Sequence, residues 1–309
     1  MIIIASVGGL GNQMFSYAFY LSMKKRYKAS SVKMDLCYPG LKDHNGYELE
    51  KIFGIKAQQA SGEEVLSLAD VCPDNVRFSK LIRRLIKLKV SLFGYKESFW
   101  VQNDSTQYYE SIYDLNPFKS YYLLGTWGNE NYFKDFSDEI KSEFKFQKEL
   151  SGINLKMQTE MEACESVSIH FRRGDFISAG ANLISNEYYY KAIEYMESCL
   201  GTCTFYVFSD DVDYAKSVLG ENEKFKYINW NTGKDSYKDM QLMSKCKHNI
   251  IANSTFSFWG AYLNENPEKI VIATTVAFSK DSACNFSAES WINMDNEGKI
   301  QKPNQTSIV

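Results

Sequence analysis

Histidine is scarce in this chain, with only His44, His170 and His248 in 309 residues. The seven cysteines, at 37, 72, 164, 199, 203, 246 and 284, include no CxxC pair. A structural zinc site needs four closely spaced ligands, and no stretch of the sequence assembles them. The odd and scattered cysteines also exclude a disulfide scaffold and predict free thiols in a reducing compartment. No apolar run approaches the roughly 18 residues of a membrane span. The N-terminus, MIIIASVGGLGNQMF, lacks the basic start and long apolar stretch of a signal peptide, so a cytoplasmic location is expected. Cationic excess is missing too. The net charge is −3, and no bulk field draws the chain to nucleic acid.

What is present is the balance of an ordinary globular protein, 44% hydrophobic and 24% charged, with length enough for two domains of about 150 residues. Aromatic residues reach 15%. Their faces suit a sugar-contacting cleft, although filling a core is the commoner use of that area. Residues 1–150 hold 20 Lys/Arg against 18 Asp/Glu, and residues 151–309 hold 15 against 20. A polyanionic ligand of the second half must therefore be met by local donors.

Short β-branched runs alternate with amphipathic stretches, the pattern of an α/β protein. Strands are expected at Ile2–Ala5, Val32–Leu36 and Tyr121–Thr126. Helices are expected from the glycine turn to about Lys25, buried through Phe15, Ala18, Phe19 and Ser22, and from about 129 to 144. Residues 40–115 are weakly patterned. The second half is cleaner, with strands at Val167–Phe171, Thr204–Ser209, Lys226–Ile228, Asn249–Ala252 and Lys269–Ala273. Helices near 186–199, 211–219, 235–246 and 255–264 separate them. That βαβ rhythm predicts a doubly wound parallel sheet with helices on both faces. The charged segment around 147–163 marks the junction, giving domains of 1–155 and 156–309.

In such sheets ligands bind beyond the carboxyl ends of the strands, and four polar clusters fall there. His170-Phe171-Arg172-Arg173-Gly174-Asp175 closes one strand and holds two of only six arginines. Arginine presents a planar fork that matches phosphate oxygens. Adjacent arginines on extended chain point to opposite sides, so one can meet phosphate while the other pairs with Asp175 or a neighbour; a surface salt bridge is the plainer alternative. Gly8-Gly9-Leu10-Gly11-Asn12-Gln13 joins a strand to a helix, whose N–H groups and dipole suit an anion, with Asn12 and Gln13 as further donors. It lacks the G-x-G-x-x-G spacing of a dinucleotide site, Asp35 alone supports one weakly, and a tight packing turn explains it equally well. In Ser209-Asp210-Asp211, one aspartate is expected to cap the next helix and the other to accept from a ribose or base. Asn253-Ser254-Thr255 and Ser257 open a further helix, and plain capping accounts for one of these four polar side chains.

GGLGNQMF, SIHFRRGDF, FSDD and DMQLMSKCKHNIIANSTFSFWGAYL, in that order across residues 8–263, resemble glycosyltransferase family 11, the inverting α-1,2-fucosyltransferases that use GDP-fucose. Phe258 and Phe171 stand where relatives often carry Trp and Val; neither replaces a polar group. The resemblance implies a GT-B-like fold, with two Rossmann-type α/β domains facing across a cleft, acceptor side first and GDP-fucose donor side second. It implies transfer of L-fucose to the 2-hydroxyl of a terminal galactoside, in surface-glycan or O-antigen synthesis, with no metal and no other cofactor. Donor-side residues would be Gly9, Gly11, Asn12, Gln13, Asn253, Ser254, Thr255 and Ser257, with His170 and Asp239 near guanine and Asp210 near guanosine. Arg172 and Arg173 would neutralise the leaving diphosphate. Inversion needs a base for the acceptor hydroxyl, and Asp175 is the candidate, unless it orients Arg172 instead. Alternatives are a fucosyltransferase of another linkage, a nucleotide- or glycan-binding module without turnover, and, remotely, a dinucleotide oxidoreductase.

Seven cations and no acid lie between Asp74 and Glu97, at Arg77, Lys80, Arg83, Arg84, Lys87, Lys89 and Lys96. Leu81, Ile82, Leu85 and Ile86 recur among them at helical spacing. Such a helix over 77–96 either lies peripherally on an anionic membrane surface or packs its apolar face on its own domain.

Overall fold

The structure, a computed structural model, describes residues 1–301 apart from 281, 283 and 284; the side chains of 175, 178 and 179 also lie outside the description. The chain divides into two compact units, Met1–Lys145 and the residues from Phe146 on. The expected boundary stood at 155/156. Helix Gly152–Ala163 goes with the second unit because Leu150 and Met161 enter a core there with Tyr206 and Phe208.

In the first unit, strands β1 (Ile2–Ala5), β2 (Val32–Asp35), β3 (Phe99–Val101) and β4 (Tyr121–Leu124) form a parallel sheet in the order β2-β1-β4-β3. Every residue of β1 is buried, as the IIIA run requires of a strand covered on both faces. Helix Leu10–Arg26 comes next, and its expected face of Phe15, Ala18, Phe19 and Ser22 is buried. The aromatic excess is largely core: Phe19 stacks on Trp127 with centroids 3.9 Å apart, and Tyr132 meets both edge-on. The single helix expected over 129–144 is instead two 3-10 turns, Glu130–Tyr132 and Lys134–Phe136, and then helix Ser137–Glu143. The unpatterned stretch 40–115 contains β3 and the helices Leu49–Phe53, Gly62–Leu68 and Ser79–Phe93. β3 is three residues long and none of it is fully buried, so its sequence shows no period.

The second unit is built on β5 (Ser166–Phe171), β6 (Thr204–Ser209), β7 (Phe225–Ile228), β8 (His248–Ile251), β9 (Val271–Thr274), β10 (Ile292–Met294) and β11 (Ile300–Gln301). Their order is β11-β10-β9-β8-β5-β6-β7, parallel except for the β10–β11 pair. β6 shows why helices cover both faces. Its Phe205 and Val207 pack with Tyr188, Met196 and Ala215, while Tyr206 and Phe208 pack with Met161, Leu242 and Met243. Alternate residues of a strand point to opposite faces, and here both are apolar, as the doubly wound reading predicts. No helix among the described residues is long and apolar enough to cross a membrane, and the six described cysteines are free.

Candidate functional site

β5 is the strand at which the winding reverses, with β6 and β7 on one side and β8, β9 and β10 on the other. A crevice beyond the carboxyl ends of the strands at such a switch point is the usual ligand site of this architecture. Phe171 is paired with Ser209 in the parallel β5–β6 register, so the residues just past the end of β5 lie beside those just past the end of β6. Arg172 and Arg173 thereby meet Asp210 and Asp211.

Arg172 Nε lies 3.3 Å from Asp210 Oδ2, and Arg173 Nε lies 3.7 Å from Asp211 Oδ2. The backbone N–H of Arg173 donates to Asp210 Oδ1 at 2.9 Å. The Arg173 guanidinium sits over the Tyr214 ring, 3.9 Å from its centroid, a favourable cation–π placement. Gly174 lets the backbone pass close to this carboxylate: a Cβ there would lie 3.2 Å from Asp210 Oδ2 and 3.3 Å from its Cγ, a tight contact. Two adjacent cations are thus balanced by two carboxylates and steadied by an aromatic face, with 31% and 30% of their side-chain surface still exposed. Each arginine has an aspartate at the end of β6 as an ion-pair partner, whereas the sequence suggested Asp175 or a neighbour as the partner of one of them. Asp175 itself belongs to helix Gly174–Ala179, but its side chain lies outside the description. Asp210, assigned by resemblance to guanosine, is engaged with the arginines here, and Asp211 takes the expected cap, accepting from Tyr214 N–H at 3.1 Å.

The polar run after β8 resolves residue by residue. Ser254 caps helix Thr255–Tyr262, accepting from Phe256 N–H at 3.3 Å. Asn253 is fully buried and donates to the Asn182 carbonyl at 2.9 Å. Ser257, also fully buried, donates to the carbonyls of Ala252 and Ser254. Much of the polar excess there therefore serves the fold, and Thr255 is the half-buried member of the set. His170 is buried at the end of β5 with its ring 5.9 Å from that of Phe256.

Asp239, in the first turn of helix Tyr237–Met243, terminates a side-chain chain absent from the sequence reading. Asn231 Nδ2 donates to Asp239 Oδ1 at 2.7 Å. Asn231 and Asn154 exchange hydrogen bonds at 2.8 and 3.0 Å, and Trp230 Nε1 donates to Asn154 Oδ1 at 2.8 Å. Both asparagines are buried, so this web fixes where the carboxylate sits. Burial pushes the Asp239 carboxyl up to about 7, against the lowering effect of the Asn231 hydrogen bond. Asn154 and Asn231 stand 77 residues apart, and no local signal could have joined them.

In the first unit, Gly9 caps helix Leu10–Arg26 and Gly11 lies in its first turn. Gly8 adopts φ +62°, and a Cβ there would run into the Asn12 side chain. Gln13 is fully buried and committed to the chain: Nε2 donates to the carbonyls of Gly8 and Gly46 at 3.0 and 2.8 Å, and Oε1 accepts from Glu48 N–H at 2.9 Å. These bonds tie the glycine turn to the backbone at 46 and 48. Asp35 is likewise buried, accepting from the Tyr122 hydroxyl at 2.8 Å and the Cys37 N–H at 2.9 Å, which removes it from any dinucleotide ribose. Among the described residues, no three His, Cys, Asp or Glu side chains are grouped to hold a metal ion.

Fold and site together define a two-unit α/β protein with two adjacent arginines, each paired to an aspartate, at the switch point of its second sheet. The model of glycosyl transferase family 11 matches residues 86–294, and the chain belongs to that family. It is similar to the O-antigen biosynthesis glycosyltransferase WbnK of Escherichia coli, at 30% identity over 93% of this chain and 98% of that protein. It is equally similar, at 30% identity, to the alpha-1,2-colitosyltransferase of Escherichia coli, over 96% of this chain and 99% of that one. Among solved structures, the fucosyltransferase NodZ from Bradyrhizobium aligns over 84% of this chain and 91% of its own, with 12% identity and a TM-score of 0.45.

Proposed function

We propose that this glycosyltransferase moves L-fucose from GDP-fucose to the 2-hydroxyl of a terminal galactoside, with inversion and without a metal, in the assembly of a surface glycan. The observation that carries the reading is the arginine pair beyond β5, held by Asp210 and Asp211. A leaving GDP develops negative charge as the bond to fucose C1 breaks, and preorganised guanidinium groups stabilise that charge without reorganising. They would do what a divalent ion does in other transferases.

In this reading the second unit takes the donor and the first unit the acceptor. Asp239 accepts from the guanine edge, with His170 beside the base. Asp175, three residues after Arg172 and just past the end of β5, is the base for the acceptor hydroxyl proton in this reading, while an oxocarbenium-like centre forms. A second reading keeps the site and changes the sugar: the equally similar colitosyltransferase makes nucleotide-activated colitose a competing donor. The test is incubation with each donor and a galactoside such as lactose, and then linkage analysis of the product. A 1,2-linked fucosyl product supports the proposal, a colitosyl product alone transfers it to the second donor, and nucleotide binding without product overturns it as an enzyme.

A further inference from the structure

Helix Ser79–Phe93 has no fully buried residue. Its inner side is half-buried through Ile82, Ile86 and Val90, and is fastened by Arg83 to Asp74 and by Lys89 to Asp70. That leaves a second apolar stripe outside. Leu81, Leu85, Leu88 and Leu92 are 57–65% exposed, and Phe78, Phe93 and Tyr95 stand exposed at its two ends. Beside the leucines run Arg77, Lys80, Arg84 and Lys87, which enter no ion pair among the described residues. The helix thus packs one apolar face on its own unit and still presents another, lined by cations.

The leucines recur at 4-3-4 spacing, the seam of a coiled coil, which would suit a second copy of the chain. Charge argues against that occupant. No acid lies from residue 75 to 96, so a second copy would bring only cations to Lys80, Arg84 and Lys87. The partner must be anionic and must accept a strip of apolar surface about 22 Å long. We propose that this helix docks on an anionic lipid bilayer, leucines in the headgroup–acyl boundary, cations on lipid phosphates and the terminal aromatic rings at the interface. The helix belongs to the first unit and the arginine pair to the second, so docking through it would use none of the residues read as taking part in transfer.

The test is co-sedimentation of the full chain with phosphatidylcholine vesicles and with vesicles containing about a third phosphatidylglycerol. Binding is expected to the anionic vesicles only, weakening as salt rises. A triple Lys80→Gln, Arg84→Gln, Lys87→Gln variant should lose about fivefold per cation, or about 100-fold in all. Leu85→Ser with Leu88→Ser should lose on the order of 100-fold. All these side chains are exposed, so both variants should keep the wild-type melting temperature and wild-type transfer to a soluble acceptor. Equal binding to neutral vesicles, or full affinity in the charge variant, overturns the proposal. So does a chain that ignores both vesicles and forms a dimer that Leu85→Ser with Leu88→Ser dissolves, a result that would assign the stripe to a second copy.

Discussion

Replacing Asp239 by Asn exchanges a carboxylate for a neutral amide of the same shape, and the structure predicts opposite effects on the empty and the loaded protein. In the empty protein the carboxyl titrates at about 7, raised from 3.8 mainly by burial. A raised folded-state value means that the native chain holds this proton more tightly than the unfolded chain does. The stability tied to it is complete below about pH 4 and is lost as pH climbs to about 7, where native Asp239 must ionise. The full interval corresponds to roughly 4 kcal/mol at about 1.4 kcal/mol per pKa unit, and the residue's partial exposure reduces this to on the order of 1–2 kcal/mol. Asp239→Asn should therefore raise the melting temperature at pH 8 by a few degrees and leave it nearly unchanged at pH 4. For GDP the sign reverses. A carboxylate accepting from a guanine edge makes charged hydrogen bonds worth about 1.5–3 kcal/mol, so the variant should bind GDP about 10- to 150-fold more weakly. Wild-type affinity should fall as pH drops below about 7, and that dependence should vanish in the variant. Thermal melts and calorimetry at two pH values read all of this. Unchanged GDP affinity in a variant that is stabilised at pH 8 would remove Asp239 from base recognition while leaving its burial intact; no stabilisation at pH 8 would refute the burial argument itself.

Arg172→Ala or Arg173→Ala should lower kcat/KM on the order of 10²- to 10³-fold, with Lys a poor rescue because it lacks the planar fork; folded Ala variants that turn over normally would exclude the diphosphate role. Asp175→Asn should abolish transfer while leaving GDP-fucose affinity nearly intact, since a base acts only as the transition state forms, and parallel loss of affinity would return Asp175 to an orienting role. Turnover is expected to persist in EDTA, because the arginines are read as carrying the charge of the diphosphate; loss that Mg²⁺ or Mn²⁺ restores would sink that reading.

Much of the second unit was legible because its strands are buried on both faces. Thr204–Ser209 is a near-continuous apolar run and Ser166–Phe171 alternates Val167, Ile169 and Phe171 with small or polar residues, both set off by helical periods, and pattern alone located them to within a residue. The first unit was less legible where its elements are short. Phe99–Val101 has three residues and a half-exposed surface, too little to show a period of two. Residues 129–144 carry a helical composition, yet the backbone breaks into 3-10 turns, with Tyr132 and Phe133 drawn into the aromatic core.

By itself the sequence determined the residue types at the strand ends: two arginines after β5, two aspartates after β6, an amide and hydroxyls after β8. It could not say which of them face a ligand and which serve the chain. Gln13, Asn253 and Ser257 have the side chains of ligand donors, but each is buried against its own backbone, and burial is a tertiary property. Tertiary structure alone also decided the partners of the arginines. The β5–β6 register sets Phe171 beside Ser209, so Arg172 meets Asp210 and Arg173 meets Asp211 across a gap of 38 residues in the chain. The same holds for Asp239, whose position is held by asparagines that only the folded second unit brings together, and whose pKa is raised by burial against the lowering effect of the Asn231 hydrogen bond. Local sequence fixes what a side chain can do; which groups surround it, and so which of those things it does, is set by contacts between residues far apart in the chain.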